Sequence, residues 1–185
     1  MKKIFVGILG ITIIFILVGC GQIKDVKDKI TRMNKPDHEK IEDTREILNK
    51  VLEHIADTHS ELSFRDGQLL DAELGVPRFE TVSFSEIEHF SDKDVADGFI
   101  VRPMVDVENP HLLIIVEATN KDTSANLMKA MGKVKSDQFT KFKDAGMWTK
   151  YLINNNKTLR QGNFVIYVTW ERSQDIVKVF ECHIG

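Results

Sequence analysis

Two uncharged apolar segments, residues 112–116 and 164–170, constrain the fold of this chain more than any other feature. Each is shorter than an ordinary helix and is bounded by turn residues, which is typical of a strand that is covered on both faces. Residues 99–107 alternate in polarity and predict another strand, in which Pro103 requires a sheet edge or a bulge. Because only an Asn-Pro turn separates residues 99–107 from residues 112–116, we expect an antiparallel hairpin there.

Residues 37–63 predict an amphipathic helix that Asp37 caps directly after Pro36. Its apolar side chains recur at helical spacing and include Ile41, Ile47, Leu48, Val51, Leu52, Ile55 and Leu62. This apolar face either docks on the rest of the domain or forms a seam with a partner helix.

A second, longer helix is predicted from a cap at Asp122 or Thr123 to about Lys143. Its buried positions are expected to be Leu127, Met128, Met131, Val134, Phe139 and Phe142. A last helix over residues 174–180 follows a cap at Ser173.

The remaining segments give weaker patterns. Residues 69–74 predict a short helical segment that Gly75 ends, and residues 79–90 predict a short strand followed by a helical turn. Residues 154–157 are expected to form a polar loop. The order strand, strand, helix, strand, helix predicts an α+β domain over residues 64–185, with a small, mostly antiparallel sheet packed with helices.

The N-terminus has the pattern of an export signal. Lys2 and Lys3 precede the uncharged residues 4–18, and small residues follow. The end of this segment, Gly19-Cys20, resembles the lipobox of bacterial lipoproteins. The resemblance implies cleavage between Gly19 and Cys20, and a diacylglyceryl group on the Cys20 thiol that holds the chain at the membrane. The alternative is an uncleaved anchor, and both alternatives place the rest of the chain outside the cytoplasm.

Charge and cysteine content limit the partners. Residues 1–19 are the predicted signal peptide and residues 20–36 a lysine-rich tether. Removing the two leader lysines from 25 basic residues leaves 23 against 28 acidic ones, and this acidic balance argues against nucleic acid. If Cys20 is acylated, Cys182 has no intramolecular disulfide partner. If Cys20 is unmodified, a Cys20–Cys182 disulfide is possible. Apolar neighbours favour a buried, unreactive Cys182.

No motif predicts an enzyme or a cofactor. The histidines His54 and His59 are five residues apart, which does not place them on one face of a helix as metal ligands. No Gly-x-Ser-x-Gly motif and no glycine-rich phosphate loop occurs. We therefore expect no catalytic, metal or cofactor residues.

Candidate contact residues come from the long helix and its surroundings. Lys129, Lys133 and Lys143 lie away from its apolar arc, so they either meet anionic lipid head groups or wall polymer, or simply solvate the helix. Arg102 and Trp148 are candidates for a small-ligand pocket between sheet and helix.

Residues 113–118, the lysine-bearing helix after them, and the sequence Gly162-Asn163-Phe164-Val165 resemble the bacterial lipoproteins grouped as the domain of unknown function 4358 family. The resemblance covers about residues 70–181 and implies a lipobox leader but no mechanism. The sequence thus predicts a membrane-anchored extracytoplasmic lipoprotein that acts as a non-catalytic interaction or accessory module, with the membrane and an envelope protein as partners. The alternative is a ligand-binding lipoprotein, and an envelope hydrolase is the third reading.

Overall fold

A five-stranded antiparallel sheet organises the domain, as seen in a computed structural model that describes residues 43–104 and 109–184. Backbone contacts divide the chain into residues 1–38 and 39–185, and all described residues belong to the second unit. In chain order the helices and strands are α1 (Thr44–Thr58), β1 (Leu62–Arg65), β2 (Gln68–Asp71), β3 (Phe79–Ser83), a 3-10 turn (Phe84–Glu86), β4 (Val95–Pro103), β5 (Leu112–Ala118), α2 (Ser124–Lys141), α3 (Met147–Asn154), β6 (Lys157–Gln161), β7 (Phe164–Thr169) and α4 (Ser173–His183). The strand order β3-β4-β5-β7-β6 confirms the predicted α+β fold with a mostly antiparallel sheet.

The two apolar segments form the middle of this sheet. Strand β5 lies between β4 and β7, and its residues alternate between two cores. Leu113 and Ile115 belong to one core, whereas Ile114 and Val116 belong to the other, and all four are fully buried. This double burial explains why the strand has no polar face, and it confirms the prediction for residues 112–116.

Helix α1 packs its apolar face on one side of the sheet. Its five central apolar side chains are fully buried with α4 and the β1–β2 hairpin (Ile47, Leu48, Val51, Leu52 and Ile55). Docking on the domain is therefore confirmed in preference to a partner seam. The helix begins after Asp43, whose carboxylate accepts hydrogen bonds from the backbone N–H groups of Arg45 and Glu46. It ends at Thr58 rather than 63 because Leu62 already belongs to β1. Residues 37–42, including the predicted Asp37 cap, lie outside the described residues.

Helix α2 covers the opposite side of the sheet. Leu127, Met131 and Val134 are buried against it as predicted. The prediction for Phe139 is wrong: this side chain is exposed, and the neighbouring Gln138 is buried instead. Successive residues of an α-helix lie about 100° apart around its axis, so when position 138 faces the sheet, position 139 points away from it to one side.

Two segments depart from the sequence predictions. Residues 69–74 are not helical, because β1 and β2 form a hairpin around Asp66 and Gly67, both at positive φ. Asp71 then accepts hydrogen bonds from two backbone N–H groups and closes a turn at the residues where the helix was expected. The expected loop at residues 154–157 contains the end of α3 and the start of β6, two elements that the sequence patterns did not predict.

Strand β4 lies inside the sheet, between β3 and β5, so of the two alternatives predicted from Pro103, a sheet edge or a bulge, the edge is wrong. Pro103 is its last residue, and the irregular pairing is at Val95 and Asp97. Gly98 is essential to the close packing here, because a Cβ atom at this position would lie 2.5 Å from Cγ1 of Val116.

Candidate functional site

The candidate site is a cleft of about 360 Å³ between the sheet, α2 and the loop after the 3-10 turn. This volume falls in the range of small-molecule sites in proteins. Apolar side chains from three elements line it, namely Ile87, Ile100, Leu112, Val134 and Phe142. Its polar lining consists of Glu86, Glu88, His89, Arg102, Asn109, His111, Asp137, Gln138 and Lys141. The cleft is therefore apolar in part, with charged groups around it.

Arg102 joins the sheet to the loop that covers the cleft. Its Nε donates to Glu80 on β3 at 2.7 Å, and its Nη2 donates to Glu86 in the 3-10 turn at 2.9 Å. The guanidinium group thus bridges two carboxylates. An anionic ligand would have to displace at least one of them, so Arg102 positions the loop more than it offers a free cation.

His89 and Asp137 form a second link across the cleft. The Nε2 atom of His89 is hydrogen-bonded to the carboxylate of Asp137 on α2. With the Arg102 pairs, this contact ties the covering loop to both the sheet and the helix.

Gln138 lies in the lining of the cleft, is buried, and forms hydrogen bonds through both polar atoms of its amide group. Its side-chain N–H donates to the carbonyl oxygen of Pro110 at 2.8 Å, and its carbonyl oxygen accepts from Tyr167 at 2.6 Å and Thr169 at 2.8 Å. Burial raises the pKa of the Tyr167 phenol, which stays protonated and remains a donor. Gln138 is therefore a structural polar group that fixes α2 on the sheet.

A second cluster of polar side chains lies behind the cleft wall. One oxygen of Glu171 accepts a 2.6 Å hydrogen bond from His111 and lies 3.6 Å from Nε2 of His59. The Trp170 ring packs on His111 with their centroids 4.5 Å apart, and Phe79 lies against the same indole. His111 also lines the cleft, so this cluster connects the cleft to the core beneath α1.

The protonation of this cluster follows from its geometry. His59 donates from Nδ1 to the carbonyl oxygen of Ile55, so its Nε2 can donate towards Glu171 only when the ring is a cation. Contact with Glu171 accordingly raises the pKa of His59 against the opposing effect of burial. Burial disfavours the Glu171 anion, but His111 and His59 together hold its pKa well below the ordinary range.

The predicted contact residues do not converge on one site. Arg102 lines the cleft, whereas Trp148 does not, because it lies on the exposed face of α3. Lys129 and Lys133 are exposed on α2, and Lys143 is exposed just beyond the end of that helix. Gly19 and Cys20, the predicted cleavage and lipid sites, lie outside the described residues.

Sequence reasoning missed the cluster of His59, His111 and Glu171. His59 and His111 are 52 positions apart in the sequence, and Glu171 follows 60 positions after His111, so the three residues form no local motif. They meet only because α1, β5 and β7 share one core.

Cys182 is partly exposed, so the expectation of a buried thiol was too strong.

Among residues 43–104 and 109–184, no group of three or more His, Cys, Asp or Glu side chains is arranged to hold a metal ion. None of the helices in these same ranges is long and apolar enough to cross a membrane.

Comparison with known proteins found no matching family model, no matching curated protein and no matching solved structure.

Proposed function

We propose that this chain is a lipid-anchored extracytoplasmic lipoprotein whose folded domain is a non-catalytic binding module of the cell envelope. The N-terminal pattern that ends in Cys20 supports the anchor and the location. The cleft of about 360 Å³ is the observation that carries the binding role.

The chemistry of the cleft favours binding over catalysis. His89 and Asp137 form a histidine–carboxylate pair, yet the described residues that line the cleft include no serine, threonine or cysteine to act as a nucleophile beside them. Arg102 is already paired with Glu80 and Glu86, and His89 is hydrogen-bonded to Asp137. A ligand with an apolar body and neutral polar groups suits this lining better than a strongly charged one.

A protein-binding role through α1 is less well supported. The sequence left open a partner seam on this helix, but its apolar side chains are completely buried in the domain. The cleft therefore remains the better candidate for the interaction that the module performs.

The binding role is tested by small-molecule extraction from the full-length lipoprotein, purified from cell membranes in a mild detergent. Glu88 lies exposed at the cleft, in the loop after the 3-10 turn, so Glu88→Trp would fill the cleft. The control Ser85→Trp places the same side chain in the 3-10 turn, outside the lining. We expect native mass spectrometry to detect a bound small molecule in the wild type and in Ser85→Trp, and not in Glu88→Trp. Equal occupancy in all three proteins, or none in any, would count against the cleft.

The anchor is tested separately on the same preparation. We expect the N-terminal peptide to begin at Cys20 and to carry the mass of a diacylglyceryl group. Recovery of Met1 together with an unmodified Cys20 thiol would contradict the lipoprotein assignment.

A further inference from the structure

Helix α3 presents large apolar side chains to solvent. Met147, Trp148 and Tyr151 are 88%, 59% and 56% exposed, and the two aromatic rings stack with their centroids 5.4 Å apart. Leu152 and Ile153 on the other face are almost completely buried. The helix is therefore fixed to the domain by one apolar face while a second apolar face points outwards.

The surroundings of this face are cationic although the chain as a whole has a net charge of −3. Residues 141–151 contain Lys141, Lys143 and Lys150 against Asp144, and all four side chains are exposed. The local excess of positive charge is complementary to an anionic surface.

The other exposed apolar side chains lack this combination. Leu74 and Val76 are exposed between Asp71, Glu73 and Arg78, where acidic groups outnumber basic ones. That segment also contains no aromatic ring. Met104 and Phe139 are each exposed singly. Among the residues that the structure describes, two short segments expose more than one large apolar side chain, and of these two the one on α3 pairs aromatic side chains with lysines, as protein surfaces at the bilayer interface do.

The size of the α3 face also favours a membrane over a second copy of the chain. Its three side chains expose roughly 400 Å², given that aromatic side chains have about 150–250 Å² each. A stable protein interface needs about 800 Å² from each partner. A face of this size is sufficient at a membrane when a lipid anchor already holds the protein there, because two weak membrane contacts reinforce each other.

The length of the chain between Cys20 and the first described residue allows this contact. Residues 21–42 follow Cys20 and number 22, so this segment can span at most about 75 Å. A domain of this size has a radius of gyration of about 15 Å. Any face of the domain is thus within reach of the membrane, and the chemistry of the surface decides which face makes contact.

We propose that the face formed by Met147, Trp148 and Tyr151, flanked by Lys143 and Lys150, lies on the anionic phospholipid surface of the membrane that holds Cys20. This inference rests on the proposed lipid anchor. The stacked rings enter the interfacial region of the bilayer, and the two lysines contact lipid phosphates.

Tryptophan fluorescence tests the contact directly, since the chain has only two tryptophans and Trp170 is 2% exposed. The purified acylated protein is reconstituted into vesicles of phosphatidylcholine and phosphatidylglycerol that contain brominated lipid. We expect loss of Trp148 emission by bromolipid quenching and protection from aqueous acrylamide. Trp148→Phe removes the quenchable emission, because only the buried Trp170 remains.

Charge variants locate the contact. Lys150→Glu should reduce the quenching in anionic vesicles, whereas Lys129→Glu, an exposed lysine on α2, should not. Emission from Trp148 that stays open to acrylamide and insensitive to bromolipid would overturn the inference. Protection from acrylamide without bromolipid quenching would instead identify contact between copies of the protein and would also overturn it.

Acylation is verified by mass before reconstitution, which separates the two proposals. Acylated protein with an unquenched Trp148 contradicts the membrane contact alone. Absence of acylation contradicts the lipoprotein assignment, and the proposed contact then falls with it.

Discussion

The cluster of His59, His111 and Glu171 predicts a stability that depends on pH and on one carboxylate. Glu171→Gln keeps the shape of the side chain and its capacity to accept a hydrogen bond from His111, but it removes the negative charge. The charge-assisted 2.6 Å hydrogen bond becomes a neutral one, and the 3.6 Å ion pair with His59 is lost.

The expected loss is about 2 kcal/mol in the free energy of unfolding. About 1 kcal/mol comes from replacing a hydrogen bond to a charged group by a neutral one, and a similar amount comes from the ion pair. Glu171 is 27% exposed, so the loss stays below the 3–5 kcal/mol typical of a fully buried pair that is broken.

The sign of the pH dependence follows from the two pKa shifts. The raised pKa of His59 gives stabilisation that is fully present below its ordinary value of 6.5 and is lost as the pH rises through the folded-state value. The lowered pKa of Glu171 gives stabilisation that is present above its ordinary value of 4.5 and is lost as the pH falls through the folded-state value. The destabilisation by Glu171→Gln should therefore be largest between pH 4.5 and pH 6.5, the ordinary pKa values of the two groups, and smaller in alkaline buffer.

Urea unfolding of the full chain in a non-ionic detergent, followed by far-UV circular dichroism, measures this effect at about pH 5.5 and about pH 9. Glu73→Gln is the matched control, because Glu73 is exposed in the turn after β2 and should change the stability by less than about 0.5 kcal/mol. A loss from Glu171→Gln that is equal at both pH values, or larger at about pH 9, would refute the assigned protonation of His59.

Three further substitutions test the packing around the cleft by the same unfolding measurement. Gly98→Ala should destabilise the domain by about 1–3 kcal/mol, because the new methyl group would meet Val116, and a loss near zero would contradict that close approach. Gln138→Leu should cost about 2–4 kcal/mol, since it removes the acceptor of the Tyr167 hydroxyl and the donor to the Pro110 carbonyl, and an unchanged midpoint would show that the network is not needed. Asp43→Ala should cost about 1 kcal/mol, whereas Asp43→Asn should cost much less because Asn also caps helices; equal losses would argue against the capping role.

Local patterns predicted the parts of the fold that are buried in a regular way. Strands β5 and β7 were recognisable because residues covered on both faces must all be apolar. The apolar stripe of α1 predicted its docking because a helix with one apolar face is stable only when that face is covered. These features depend on neighbours in the sequence, and the amino-acid order therefore reveals them.

Elements at the margin of the domain were harder to predict. Strand β6 lies at a sheet edge and is mostly half-buried, so its residues show no clear alternation. The helix α3 has apolar residues on both its buried and its exposed face, which hides its amphipathic period. The choice between Gln138 and Phe139 as the buried residue of α2 depends on a polar partner, Tyr167, supplied by a distant strand.

The amino-acid order by itself determined the fold class, the two central strands, the docking helix and the pattern that ends in Cys20, since each is written in contiguous residues. Only the tertiary structure decided that Arg102 is held by two carboxylates, that His59 and His111 share Glu171, and that Trp148 faces solvent instead of the cleft. The physical reason is that charge pairing and exposure depend on which residues become neighbours in space. Residues far apart in the sequence become neighbours only when the helices pack on the two faces of the sheet.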